Sequence, residues 1–161
     1  MSFAGTTYKD GSECSCDSIV KQYYDSGAIH SEVPFIKDKQ HGIAKKWYYE
    51  SGAIYLEAPY INGKAHGIEK VYNESGAIQL EAPYINGKLH GIHKMYYHES
   101  SAIVELETPY INGKLHGIQK WYYESGKLAG TAKYKNGTLV GYKQCTDGRK
   151  GNERLQCLRL Y

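Results

Sequence analysis

Apolar residues return at every second position along most of the chain. Ile54, Leu56, Ala58 and Tyr60 alternate with Tyr55, Glu57 and Pro59, and Ile78, Leu80, Ala82 and Tyr84 repeat the arrangement around Gln79, Glu81 and Pro83. A period of two marks a strand with one face turned to a core. Two kinds of turn divide these runs. Asn-Gly stands at Asn62-Gly63, Asn86-Gly87, Asn112-Gly113 and Asn136-Gly137, and both residues tolerate the positive φ of a type I′ hairpin turn. Ser-Gly stands at Ser26-Gly27, Ser51-Gly52, Ser75-Gly76 and Ser125-Gly126, with Ser100-Ser101 in its place once. It is the weaker signal, and it leaves room for a one-residue bulge. The pattern predicts an all-β fold, an elongated antiparallel meander of stacked β-hairpins with about ten strands.

The alternation rides on a repeat. The string A-P-Y-I-N-G-K-x-H-G-I occupies residues 58–68 and 82–92, residues 108–118 differ by one Thr for Ala, and looser copies lie at 33–43 and 133–142. Its last glycine recurs at Gly42, Gly67, Gly91, Gly117 and Gly141, about 24 residues apart, a period typical of arrays built from one supersecondary unit. Residues 19–142 form the array. Residues 1–18 form an N-terminal arm or cap, and residues 143–161 a C-terminal cap. In that cap Asp147-Gly148 reads as one more hairpin, and Leu155, Cys157, Leu158, Leu160 and Tyr161 cover the open edge.

Two-residue Ser-Gly loops would set Lys21 opposite Glu32, Lys46 opposite Glu57, Lys70 opposite Glu81 and Lys94 opposite Glu107, whereas Lys120 would meet Thr131. Such pairs contribute about 0.2–1 kcal/mol each and fix register more than stability. This register gives a buried face with Trp47, Leu56, Ala58, Leu80, Ala82, Leu106, Trp121 and Leu128. The wetter face carries the Lys-Glu pairs, the prolines, Ile61, Ile85 and Ile111. Pro34, Pro59, Pro83 and Pro109 each remove a ladder donor, which predicts a bulge or strand end once per repeat.

The 161 residues suit one domain. Seventeen tyrosines against two Phe and two Trp place much aromatic area at half-wet surfaces. The net charge of +3 comes from interspersed lysines and glutamates and does not indicate a polyanion. No apolar run is long enough for a transmembrane helix, and the first residues show no secretory leader, so a cytoplasmic protein is expected. Cys14, Cys16, Cys145 and Cys157 lie outside the regular repeats. In that compartment they read as free thiols, with a four-thiolate zinc site or a terminal disulfide as alternatives.

His41, His66, His90 and His116 occupy one repeat position, a unit apart, which suits turn packing and not a shared metal. No catalytic triad, phosphate loop or metalloprotease helix is present, so neither an enzyme nor a bound cofactor is expected. Lysines paired with glutamates argue against nucleic acid. Tyrosine buries large area at low entropic cost, which makes Tyr48, Tyr72, Tyr96 and Tyr122, with His66, His90 and His116, the candidate protein-binding residues. A membrane surface or a second copy of the chain are the other partners considered.

Tyr122-Tyr123-Glu124-Ser125-Gly126 and Tyr110-Ile111-Asn112-Gly113-Lys114-Leu115-His116-Gly117 resemble the MORN repeat in its bacterial variant, with residues 19–142 covered. The proline before the tyrosine and the added residues of two repeats depart from it. The resemblance implies a stacked-hairpin sheet without shared catalytic residues, acting as an interaction module. Bacterial members are often classed as antitoxin-like, which implies an inhibitor that blocks a toxin or nuclease; some eukaryotic members are associated with membranes.

Overall fold

The computed structural model describes residues 6–7, 9, 11, 13–98, 100–141, 143–146 and 150–151. The described residues form strands and turns with no helix, and ten of the strands are six residues or longer. The chain divides into two compact units, Met1–Ala77 with Tyr84–Gly87 and Ile78–Pro83 with Lys88–Tyr161.

In the first unit Ser18–Tyr23, Ile29–Ile36, Gly42–Trp47, Ile54–Ile61 and Gly67–Tyr72 follow one another as antiparallel neighbours. In the second, Gly91–Tyr97, Ser100–Ile111, Gly117–Tyr122, Leu128–Lys135 and Lys143–Cys145 follow the first six residues of Ile78–Ile85 in a meander of the same kind. Lys150–Gly151 pairs back on Lys143–Cys145, while the Asp147-Gly148 turn and the residues from Leu155 onward lie outside the described residues.

The Asn-Gly turns are as regular as their sequence. Asn62, Asn86, Asn112 and Asn136 hold φ of 51–52° and each following glycine is also positive, the conformation a type I′ turn needs. Beyond the first three of these turns the strand breaks at a histidine, and beyond the fourth at Val140. His66 N–H donates to Pro59 O at 2.9 Å, and His90 and His116 do the same to Pro83 and Pro109. The glycine after each histidine sits at φ +118°, where a Cβ on Gly67 would stand 2.8 Å from Pro59 Cγ. The expected bulge therefore lies on the strand facing each proline, and the pyrrolidine ring fills the space the glycine leaves.

The Ser-Gly ends are longer than two residues. Tyr24 N–H bonds to Ala28 O, Asn73 to Ala77 O and Tyr123 to Lys127 O, enclosing three residues that end in a left-handed glycine, a standard hairpin loop. The resulting one-residue offset is cancelled by a bulge at Gln22/Tyr23, so Lys21 still faces Glu32. Tyr48 N–H bonds instead to Ala53 O. That longer loop moves the rung, and Lys45, not the expected Lys46, faces Glu57. Ser100-Ser101 is not a turn: without a glycine to take positive φ the strand runs on, and Tyr97 pairs with Ser100. Lys94 opposite Glu107 and Lys120 opposite Thr131 stand as predicted.

Trp47, Ala58, Ala82, Leu106 and Trp121 are buried, as the alternation requires. Leu128 is exposed, because a bulge at Trp121/Tyr122 shifts its pairing. The face expected to be wetter is closed at its N-terminal end: Glu32, Pro34 and Lys45 are buried. Thr6–Thr7 pairs with Glu13–Cys14 as a small hairpin, and Lys9 N–H donates to Glu32 Oε2 at 3.0 Å, which ties the described part of the N-terminal segment to the first rung. Cys16 and Cys145 are disulfide-bonded, which corrects the free-thiol expectation for both.

In the second unit Leu106, Trp121, Ala129, Ala132 and Cys145 form a core cluster. Trp121 faces Gly130, where three of the earlier repeats carry Leu and the first carries Ser31. A Cβ there would lie 2.7 Å from Gln144 O and 2.8 Å from the indole. Gly130→Ala is therefore expected to cost about 1–3 kcal/mol by overpacking, read as a lower urea midpoint; an unchanged midpoint would show that the indole gives way freely.

Candidate interaction surface

The rungs of the two units run through consecutive strands at one level. Lys21, Glu32, Lys45, Glu57 and Lys70 face one another in turn in the first unit, and Glu81, Lys94, Glu107, Lys120, Thr131 and Gln144 do so in the second. Close ion pairs join Lys21 to Glu32 at 3.0 Å, Lys120 to Glu107 at 3.6 Å and Lys45 to Glu57 at 4.0 Å. The Glu32 carboxylate raises the pKa of Lys21, chiefly through their hydrogen bond.

The candidate tyrosines serve these carboxylates. Tyr72, Tyr96 and Tyr122 donate their hydroxyls to Oε2 of Glu57, Glu81 and Glu107 at 2.7, 2.9 and 3.0 Å. Tyr48 donates instead to Tyr72 O at 2.8 Å, and Tyr24 and Tyr97 make the matching bonds to Trp47 O and Tyr122 O. All four candidates are half-buried. Burial pushes the phenols of Tyr48 and Tyr122 up, helped at Tyr122 by the Glu107 bond. Burial, the Glu81 bond and the charges of Glu81 and Glu107 push Tyr96 up to about 12.

His66, His90 and His116 stand at the other end of the strands, half-buried at the bulges. The buried Nδ1 atoms of His66 and His90 have no partner, whereas His116 Nδ1 is 3.3 Å from Asn136 Oδ1. Tyrosines and histidines thus occupy opposite strand ends. Among the described residues no three His, Cys, Asp or Glu side chains gather as a metal site.

Between those ends each unit carries a short rank that sequence reasoning passed over. Ile43 faces Pro59 and Ile92 faces Pro109, two residues from the rungs and hence on the same face. Ile43, Ile68, Ile92 and Ile118 are 42–51 % exposed, and Ile61, Ile85 and Ile111 near the turns 43–44 %. The signal was present: isoleucine follows every His-Gly, at a position that alternation assigns to the wetter face. Lysines border the rank. Lys64 pairs across its turn with Ile61 and Lys114 with Ile111. Lys39, Lys64, Lys88 and Lys114 are exposed and make no ion pair among the described residues, so the expectation that the array's lysines are neutralised holds only for the rungs.

A family model described as an uncharacterised protein matches residues 8–153, spanning the repeats and the last strand pair. The chain belongs to that family. No curated protein matches it.

The neutral Tyr96 phenol is the form the fold prefers. Its contribution is complete below the ordinary phenol value of 10.0 and is lost as pH rises through about 12. Wild type should therefore lose stability relative to Tyr96→Phe across that window in urea titrations; a difference that stays constant with pH would separate the hydroxyl from the rung.

Proposed function

We propose that the chain is a non-catalytic, protein-binding repeat module that acts by stoichiometric occlusion of a partner. The observation that carries this reading is the rank of exposed isoleucines at one repeat position. Strand propensity does not require them, since threonine would serve a wet strand as well. Leaving one large aliphatic side chain in water forgoes about 1.5–3 kcal/mol, and monomers seldom keep contiguous apolar patches without use. The tyrosines support the surface from beneath, with their hydroxyls already bonded.

The lysine border gives the partner a chemistry. An apolar ridge flanked by carboxylates complements Ile61 with Lys64 and Ile111 with Lys114, better than the basic cleft of a nuclease would. The resemblance to bacterial MORN-like arrays supports the inhibitor or antitoxin-like form of the proposal. Exposed isoleucine beside unpaired lysine also suits an anionic bilayer, which makes a membrane-surface scaffold the second reading.

Affinity capture from the native host with the intact chain as bait tests both. One stoichiometric protein is expected, and Ile43→Ser with Ile68→Ser should weaken its binding at least about tenfold while the melting curve stays in place. Recovery of lipid alone, with sedimentation on anionic vesicles that fades with salt, would favour the scaffold. Equal binding by the variant would remove this surface from consideration.

The disulfides at Cys16 and Cys145 favour an oxidising compartment over the cytoplasm expected from the sequence. Alkylation of protein taken directly from the host should find both thiols blocked until a reductant is added. Free thiols at both positions in the folded protein would restore the cytoplasmic reading.

A further inference from the structure

The Asn-Gly turns are stacked. Gly63 N–H donates to Gln40 O, Gly87 to Ala65 O, Gly113 to Leu89 O and Gly137 to Leu115 O, each at 2.8 Å. Every Asn-Gly glycine is thus held by the short strand after the preceding turn. The first turn, Lys37-Asp38, has no short strand of an earlier turn before it and is held at its first residue instead, where Lys37 N–H donates to Asp17 Oδ2 at 3.0 Å. It adopts the same backbone, with φ of 47° and 59°, but Asp38 N–H makes no matching bond among the described residues, and here alone the pair is not Asn-Gly.

Asn-Gly is a chemically fragile pair. The glycine nitrogen loses its proton to a base and attacks Cγ of the asparagine. The new N–Cγ bond closes a five-membered imide as the Cγ–Nδ2 bond breaks and ammonia leaves. Water then opens the ring to aspartyl or isoaspartyl. That nitrogen is the atom each stacked turn ties up in a hydrogen bond, which must be lost before it can attack. We propose that Asn62, Asn86, Asn112 and Asn136 are deamidation sites kept closed by that glycine hydrogen bond, and that the first turn, whose second residue lacks the bond, escapes by carrying other residues. The chemistry matters to the surface, because an aspartate at Asn62 or Asn112 would set a carboxylate beside Lys64 or Lys114. The proposal does not depend on what that surface binds.

Losing one such bond before attack slows the step about tenfold. The full-length protein is held at mildly alkaline pH, native or unfolded in denaturant with reductant, and sampled by peptide mass mapping. All four asparagines should deamidate at least about tenfold more slowly in the native sample. The Lys37→Asn/Asp38→Gly variant places a fifth Asn-Gly pair in the first turn of the same folded molecule. That pair should react well ahead of the other four, and hydrogen exchange should show the amides of Gly63, Gly87, Gly113 and Gly137 protected while that of the new glycine is not. Equal native and unfolded rates would overturn the proposal. So would a first-turn pair as slow as the others, since the turn conformation alone would then be the shield.

Discussion

The carboxylate shared between two lysines is the constraint on which the sheet depends. Glu32, Glu57 and Glu107 each face a lysine on both neighbouring strands. A slip of one residue would exchange the two faces and bring Leu106, which faces Met95 and Trp121, against lysine. No rung is strong alone, for a half-exposed pair such as Lys120 with Glu107 is worth at most about 1 kcal/mol. The rank acts through repetition: Ile29–Ile36, Gly42–Trp47 and Ile54–Ile61 in one unit, and Gly91–Tyr97, Ser100–Ile111, Gly117–Tyr122 and Leu128–Lys135 in the other, are each registered against two others, and an error at one rung propagates to the next. The tyrosine hydroxyls add acceptor satisfaction to Glu57, Glu81 and Glu107, so that half-buried carboxylates are not left bare where the lysine is more distant.

The two strand ends answer this constraint differently. At the Asn-Gly end every turn has the same backbone and rests on the one before it, leaving no slack. Variation is confined to the Ser-Gly end, where loops enclose three residues or more, Ser100–Ile111 overruns its neighbours, and bulges at Gln22/Tyr23, Lys46/Trp47 and Trp121/Tyr122 restore the rungs. An added residue is absorbed within one hairpin. Ile43 and Ile68 in one unit, and Ile92 and Ile118 in the other, lie toward the invariant end, away from the end that changes length.

Much of this was legible in the sequence. Period-two alternation and four Asn-Gly pairs fixed strands, turns and order, because both signals are local. The rungs at Lys21, Lys94 and Lys120 followed from counting. The Lys45 rung did not, since a four-residue loop and a bulge are indistinguishable by count from a two-residue loop with Lys46 on the rung. Burial of Glu32 and Pro34 depends on Lys9, some twenty residues away and outside the repeat, and a repeat pattern cannot signal what lies outside it. Tyr72 and Tyr96 were taken for surface groups because composition shows that a hydroxyl needs a partner, whereas the partner, two residues along and one strand over, emerges only from the folded register. The isoleucines after His-Gly were overlooked for the opposite reason: an aliphatic residue in a strand attracts attention only once its exposure is known.

A surface suits binding when association costs it little. The backbone under Ile43, Ile92 and Ile118 is held by ladders on both sides, the prolines seat on glycines, and the neighbouring carboxylates already have donors, so docking need neither order the chain nor strip water from unpaired acids. Equivalent isoleucines two strands apart stand about 10 Å from each other, close enough for one partner to touch consecutive members within a unit. Each contact is modest, but their geometry is set before the partner arrives. The lysines at the turns remain solvated until contact, so their charge favours the approach of an acidic partner at little desolvation cost while they stay at the rim. Affinity would then come from the apolar rank and selectivity from the basic border, a division of labour that a repeat achieves by varying one turn residue without disturbing the rungs.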